Sequence, residues 1–356
     1  MPPRCPGRWP SVFDVAAEYR TLVEIAERSA GGSHPFGAQD VVSVVVHGNR
    51  ILSSHALPGV RIEATETEDG IRAVITLDEG VVVEKPVHLC FGHLGTEGRQ
   101  TIETHIRLGA RARAVFQAHC VFPNAVEFLH AMEGDIELGE GACFTYNEVH
   151  VHGPEGKITV RPSTRVRLDH GASYLGDFTL VEGRVGDLSI DIDVEAAGSK
   201  SRVEITSKVY GKYDDQCRVQ DVVRLTGAES TALIKTRVVL KDQARGDFLG
   251  TIDGAAPAAR GRVDCTEIVP GEAVAEDVEV SVLFCDDPFI AELNKTYRKH
   301  RGPTDVLSFE QEGHGPQQAR ILGDIVISLE TVERFCNGDA AAMRDEIGDG
   351  AELQPM

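Results

Sequence analysis

The sequence predicts a mainly β fold: a β-solenoid preceded by an N-terminal helix and followed by a small C-terminal α/β segment. Three observations support this fold class. An amphipathic stretch lies near the start, short β-type runs bounded by Gly, Pro and Asp follow it, and a glycine-led phrase then repeats at a nearly constant spacing. A two-sheet sandwich is the structural alternative, because turn-separated strands of this kind also build sandwiches.

Residues 1–40 form the predicted N-terminal helical segment. Between Val12 and Ala26, apolar residues recur at steps of three and four, which is the pattern of an amphipathic helix. The helix is predicted to end at Gly31 and Gly32. After these glycines the pattern changes to short runs such as VVSVVV and AVITL, which predict strands.

Residues 41–275 are predicted to form the β-solenoid. Here a turn that contains a glycine and a small residue is followed by β-forming residues, and the leading glycines lie roughly thirty residues apart. Strands alone, at this repeat length, favour coils stacked edge on edge, so that only the terminal coils need capping. The leading glycines are Gly109, Gly141, Gly171, Gly198, Gly227 and Gly254.

Residues 276–356 have a different pattern, in which strands and helices alternate. The runs VEVSVLFCDD, TDVLSFE and ILGDIVISLE predict strands. A helix opened by Asp287 and Pro288 is predicted after the first strand, and TVERFCNGDAAAMRDEI predicts a closing helix. The segment is therefore predicted to be an incomplete α/β unit with a disordered tail, GDGAELQPM.

Composition and charge exclude several classes of protein. Hydrophobic residues make up 42% of the 356 residues and charged residues 26%, as in a globular chain of about two domains. The net charge of −20 excludes a protein that binds nucleic acid phosphates over its whole surface. No signal peptide or membrane-spanning apolar run is evident, and eight dispersed cysteines indicate a reducing compartment. We expect a cytoplasmic or plastid stromal protein without a membrane partner.

Cysteine and histidine residues on the predicted strands are the candidate ligands. His88 and Cys90 lie two residues apart and share one face of a strand. His150 and His152 share a face in the same way. Thiol and imidazole groups can hold a transition metal, so all four are candidate metal ligands. Two simpler interpretations stay open: Cys90 as buried packing, and the paired histidines on a solvated or interface face. Cys265 lies beside carboxylates near the expected end of the solenoid.

Residues 12–275, about three quarters of the chain, resemble the short prokaryotic-type members of the SufB/SufD family. The resemblance rests on phrases such as EKPVHLCFG, HCVFPNA, NEVHVHGPEG and GAAPAARGRVDCTEIV. It implies a right-handed parallel β-helix that serves as a scaffold for iron–sulfur cluster assembly. The implied partners are a SufC-like ATPase, a sulfur-donating desulfurase system, and a SufB/SufD-like solenoid or a second copy paired through the β-helix. In SufB-type members a cysteine of the last coils takes part in cluster building, and Cys265 stands at the matching position.

The sequence departs from the SufB/SufD pattern after Ala275. Family members continue there into a strand with a His-Glu pair and then into a helical tail that docks SufC. This sequence continues into the α/β segment instead, and it has no histidine between His170 and His300. The resemblance therefore supplies neither a second cluster ligand nor the docking tail for the ATPase.

The C-terminal segment resembles the first part of YbeY, the metal-dependent endoribonuclease of ribosomal RNA maturation. The phrases LNKTYR, PTDVLSF and LGDIVIS occur in the family's order across about residues 277–347. In YbeY the arginine of the first phrase lies in the catalytic groove, so the resemblance implies a catalytic role for Arg298. A guanidinium fork there can grip a phosphate. An exposed helix arginine without a role is the alternative.

YbeY hydrolysis uses zinc held by three histidines of an HxxxHxxxxxH motif, which is absent from this sequence. We therefore expect no bound zinc, no RNA partner and no ribonuclease activity. An RNA cleavage assay with added zinc tests this expectation. Robust cleavage that a chelator abolishes would contradict it.

The two resemblances lead to two functional hypotheses. The first is a scaffold that holds a transient iron–sulfur cluster, and the second is a YbeY-like endoribonuclease of rRNA maturation. A third interpretation is that the join near Glu276 is a gene fusion or a gene-model artefact. The cluster type and the oligomeric state stay open at this point.

Overall fold

A computed structural model describes residues 15–29, 35–268, 278–285, 287–304, 306–310 and 320–336. The fold is mainly β, and it confirms the predicted solenoid with an N-terminal helix. The chain divides into two compact units, Met1–Pro270 and Gly271–Met356. Within the described ranges, the helices are too short or too polar to cross a bilayer.

The N-terminal helix, α1, spans Val15–Ser29. Its predicted start at Val12 and its predicted end at Gly31 and Gly32 lie outside the described residues. The amphipathic pattern is confirmed, because the apolar stripe packs on the outer face of the first coils. The buried residues of this contact are Leu22, Val23, Ala26, Phe36, Val45, Cys90 and Val121.

The first unit contains strands β1 to β17. They are β1 (Ser43–His47), β2 (Arg50–His55), β3 (Val60–Glu66), β4 (Gly70–Leu77), β5 (Val87–Gly92), β6 (Glu97–Leu108), β7 (Arg113–Phe122), β8 (Glu127–Leu138), β9 (Cys143–His152), β10 (Lys157–Leu168), β11 (Ser173–Glu182), β12 (Asp187–Ala196), β13 (Arg202–Gly211), β14 (Gln216–Leu225), β15 (Thr231–Leu240), β16 (Arg245–Asp253) and β17 (Arg260–Ile268).

These strands form two sheets, and successive strands alternate between them. One sheet has the order β17-β15-β13-β11-β9-β7-β5-β1-β2 and the other has the order β16-β14-β12-β10-β8-β6-β4-β3. From β4 and β5 onward, neighbours within each sheet pair in parallel, with partners about thirty residues apart. The spacing of about thirty residues between the leading glycines is thus the length of one coil. The solenoid has about seven such turns. The sandwich alternative is wrong, because each coil contributes one strand to each sheet.

The first coil differs from the others. β1 pairs with β2 and β3 pairs with β4 in antiparallel fashion, so each sheet begins with a reversed strand. Reversed strands occupy the hydrogen-bonding edge that a parallel coil would otherwise expose. This end of the solenoid is therefore capped by its own chain.

Alternate side chains of every coil point into the lumen between the two sheets. Along β9, for example, Phe144 and Tyr146 are buried while Thr145 and Asn147 are partly exposed. The inward side chains join one continuous core that runs from Val42 to Leu240. This alternation with period two decides which polar side chains face the lumen and which face outward.

Some of the leading glycines mark corners where coils touch backbone to backbone. A Cβ atom on Gly198 would lie 2.0 Å from His170 N, and one on Gly227 would lie 2.0 Å from Gly198 O. Because no side chain fits, glycine is required for the coils to stack this closely. This contact explains the glycines at these two corners, whereas Gly141 and Gly171 have a left-handed backbone with φ of +64°.

The second unit has the strands and helices predicted for it, with two differences. It comprises β18 (Val278–Cys285), α2 (Asp287–Leu293), β19 (Val306–Glu310), β20 (Arg320–Ser328) and α3 (Leu329–Phe335). β20 lies between β18, to which it is parallel, and β19, to which it is antiparallel. The first difference is that α2 gives way to a π-helical turn, Asn294–Arg298. The second is that α3 ends at Phe335, and the rest of the predicted closing helix lies outside the described residues.

Candidate functional site

Cys265 lies on β17, the last strand of the nine-stranded sheet. It pairs in register with Thr236 on β15, which in turn pairs with Ser207 on β13. Thr236 and Ser207 are buried in the lumen, and in-register partners on parallel strands share a face. Ser207, Thr236 and Cys265 therefore form one row of side chains along the lumenal face, but the side chain of Cys265 is exposed. The row ends in a thiol that an outside reagent can reach.

The strand that carries Cys265 is held by an arginine fork on its other face. Arg237 on β15 donates to both carboxylate oxygens of Asp264, at 3.1 Å to Oδ1 and 2.9 Å to Oδ2. Arg237 also donates to Asp264 O at 3.1 Å, and Arg262 Nη2 lies 3.6 Å from Asp264 Oδ2. Bidentate pairs of this kind fix geometry as well as adding energy. The negative charge of the Asp264 carboxylate, next to the Cys265 thiol, is thus balanced by two guanidinium groups.

Two polar side chains in the lumen of the later coils have no hydrogen-bond partner among the described residues. They are Ser207, through Oγ, and Asp221 on β14, through both carboxylate oxygens. Burial, reinforced by the charge of Asp191, raises the pKa of Asp221 to about 7. Asp221 can therefore take up or release a proton near neutral pH inside the protein.

His150 and His152 lie inside the lumen, so the interpretation that they form a solvated or interface face is wrong. Both are buried on β9. His150 Nε2 lies 2.7 Å from Glu148 Oε1, and His150 Nδ1 lies 3.3 Å from His152 Nε2. His152 Nδ1 lies 3.1 Å from Arg184 O. Burial and the neighbouring His150 lower the pKa of His152 to about 3, so this ring is neutral at pH 7.

Two residues that the sequence analysis did not single out, Cys120 and His130, lie near His150. Cys120 on β7, His130 on β8 and His150 each offer one ligand atom, and these atoms lie within 4.8 Å of one another. All three side chains are buried. Cys120 and His150 pair in register, one coil apart, so the repeat length is the signal that could have revealed them.

His88 and Cys90 lie on the opposite face of β5, beneath α1 and outside the lumen. Cys90 is packed among apolar side chains, and burial raises the pKa of its thiol to about 12. His88 stacks on His119 with ring centroids 5.8 Å apart and meets Phe36 edge-on. The structure therefore does not bring these two residues together with His150 and His152. Their role as metal ligands stays a prediction.

Arg298 is the last residue of the π-helical turn and its side chain is exposed. The turn is held by Asn294, whose Nδ2 donates to Gly302 O at 3.0 Å, and it ends at Lys299 in the left-handed conformation. Within the described part of the chain, no ion pair fixes the Arg298 guanidinium. Its catalytic role also stays a prediction.

Comparison with known proteins gives two kinds of relative. Over 261 residues, the chain is 34% identical to an iron–sulfur cluster assembly SufBD family protein of Pyrococcus horikoshii, covering 73% of this chain and 79% of the relative. Over 240 residues, it is 33% identical to an iron–sulfur cluster assembly SufBD family protein of Methanocaldococcus jannaschii. The alignment covers 67% of this chain and 76% of the relative. The resemblance stated from sequence phrases is thereby confirmed.

The C-terminal part matches a different family. The family model for endoribonuclease YbeY matches residues 263–348. Over 72 residues, the chain is 49% identical to endoribonuclease YbeY of Pelotomaculum thermopropionicum, covering 19% of this chain and 47% of the relative. The chain therefore spans less than half the length of this relative.

Proposed function

This chain belongs to the SufBD family, and from that membership we propose that it is a scaffold subunit on which iron–sulfur clusters are assembled. In this proposal Cys265 accepts sulfur as a persulfide or ligates the nascent cluster. The cluster is a substrate that the scaffold holds for a time and then passes on.

The observation that carries the proposal is the exposure of Cys265. Among the cysteines whose side chains the structure describes, Cys90, Cys120 and Cys217 are buried, Cys143 and Cys336 are half-buried, and Cys265 is exposed. Burial raises the pKa of Cys90 and of Cys217 to about 12. A donor persulfide must reach the thiolate that attacks it, and the buried Cys90 and Cys217 are out of its reach.

The chemistry required of Cys265 is simple. Its thiolate attacks the terminal sulfur of a donor persulfide. A new S–S bond forms as the donor's own S–S bond breaks, and the donor leaves as a thiolate that then takes up a proton. Ligation of iron needs only loss of the thiol proton. The Arg237 fork on Asp264 keeps the strand of Cys265 in register during both steps.

Partners follow from family membership. We propose that a SufB/SufD-like solenoid, or a second copy of this chain, pairs through the β-helix and that a SufC-like ATPase drives assembly. A reducing compartment, cytoplasmic or plastid stromal, suits a working thiolate. The weaker candidate function is a YbeY-like endoribonuclease, and the match of residues 263–348 to the YbeY family model is its support.

Anaerobic reconstitution tests the proposal. We expect wild-type protein incubated with ferrous iron, sulfide and a thiol reductant to bind iron and acid-labile sulfide in equal, stoichiometric amounts per chain. Thiolate-to-iron charge transfer should give it a brown colour. The measurement is iron and sulfide per chain after desalting, with the visible spectrum. A colourless protein without sulfide would contradict the proposal.

A further inference from the structure

The buried histidines of the lumen form contacts that need a cation. Arg184 O is only an acceptor, so His152 Nδ1 must carry the proton at their 3.1 Å contact. In a neutral His152 ring, Nε2 is then a bare lone pair. If the Glu148 carboxylate accepts from His150 Nε2, His150 Nδ1 is a lone pair as well. These two lone pairs face each other across 3.3 Å.

His130 has a second unmet requirement. Its ring is completely buried, yet neither Nδ1 nor Nε2 has a hydrogen-bond partner among the described residues. Buried polar atoms are almost always paired, so an orphaned ring needs an explanation. A proton shared between His150 and His152 would satisfy their contact but would leave both nitrogens of His130 unpaired.

A metal ion satisfies both requirements. We propose that Cys120, His130 and His150 bind a divalent transition-metal ion of the zinc type inside the solenoid, with His152 as the fourth ligand. Sulfur and imidazole are the donors that zinc prefers in closed, four-coordinate sites. Glu148 would hold the His150 ring by accepting from Nε2, the carboxylate–histidine arrangement common at such centres.

One of the distances already has the value expected in a tetrahedral site. With zinc–nitrogen bonds of about 2.0–2.1 Å, two nitrogens of a tetrahedral site lie about 3.3–3.4 Å apart. The 3.3 Å between His150 Nδ1 and His152 Nε2 has this value. The ligand atoms of Cys120, His130 and His150 lie within 4.8 Å of one another, and His152 falls outside that group, so the four ligands would have to close by about 1 Å or more on loading.

The topology gives the ion a structural role. Cys120, His150 and His152 lie on β7 and β9 of one sheet, whereas His130 lies on β8 of the other. An ion held by all four therefore ties the two sheets together across the lumen. This site is separate from Cys265 on β17, and it does not depend on the proposed scaffold function. It departs from the expectation of no bound zinc, which rested on the absence of the YbeY histidine motif and not on the solenoid.

The test is the metal content of the full chain produced in medium supplemented with Zn²⁺ or Co²⁺ and washed with a chelator. Buried ligands exchange slowly, so the ion should survive the wash. We expect about one ion per chain in wild type and in Cys265→Ser, with thiolate-to-cobalt absorbance in the Co²⁺ protein. Cys120→Ser and His130→Gln should lose at least nine tenths of the ion. Cys217→Ser, another buried cysteine that lies outside the cluster, is the matched control and should retain it.

Two results would overturn the proposal. One is wild-type protein with less than a tenth of an ion per chain from both media. The other is unchanged metal content in folded Cys120→Ser and His130→Gln. If those variants fail to fold, X-ray absorption of the wild-type zinc protein decides. One sulfur and two or three imidazoles around zinc are expected, and a shell of oxygen alone would contradict the proposal.

Discussion

Replacing Cys265 with serine is expected to remove at least nine tenths of the iron and acid-labile sulfide that wild-type protein binds on anaerobic reconstitution. Serine is close to cysteine in size, but its hydroxyl does not replace a thiolate as a ligand or persulfide carrier. Because Cys265 is exposed, the fold should survive, with a change in unfolding free energy within about 0.5 kcal/mol. The measurement is iron, sulfide and visible absorbance per chain.

Cys143→Ser is the matched control for this prediction. Cys143 lies at the start of β9, is half-buried, and belongs to neither the Cys265 row nor the Cys120 cluster. It should reconstitute as wild type does. An unchanged spectrum in Cys265→Ser would remove this residue from the site. Equal losses in both variants would show that the effect is not specific to Cys265.

Replacing Asp221 with asparagine is expected to stabilise the solenoid by about 4 kcal/mol at pH 8. The carboxyl has a pKa of about 7 in the folded protein and about 3.9 when unfolded, and each unit is worth about 1.36 kcal/mol. A raised carboxyl pKa means that the unfolded state ionises first. Wild-type stability therefore falls as pH rises from about 4 to 7, and the neutral amide escapes this loss.

Urea unfolding followed by circular dichroism at pH 4 and pH 8 measures this effect. Asp221→Asn should match wild type at pH 4 and exceed it at pH 8. Asp215→Asn is the matched control, because Asp215 is equally buried but fully paired: it accepts from Arg184 Nε, Gly186 N and Lys212 N, each at 3.1 Å. That variant should lose roughly 1.5–3 kcal/mol. A gain for Asp221→Asn that is equal at both pH values would contradict the explanation by ionisation.

The solenoid could be predicted from the sequence because its corners contain glycines that recur at a nearly constant spacing. Glycines such as Gly198 and Gly227 recur where no Cβ atom fits between coils, so the period is visible without an alignment. The antiparallel first coil could not be predicted in this way. Its strands have the same β-type composition as the others, and strand direction is decided by the turns between them.

The candidate site was only partly predictable. Alternation places His150 and His152 on one face, but it does not say whether that face is lumen or solvent. Adding one repeat to Cys120 leads to His150, so this pair could have been found from the period. His130 could not, since it lies in the other sheet, and the offset between the sheets depends on how each corner is built.

We propose that this chain assembles a cluster and passes it on to another protein. Cluster transfer to an apo-ferredoxin tests this function, when the reconstituted protein is mixed anaerobically with the acceptor and a chelator that captures free iron. We expect the acceptor to gain its cluster spectrum despite the chelator, faster than from free iron and sulfide at the same concentrations. An acceptor that stays in its apo form while the chelator takes the iron would contradict the scaffold function.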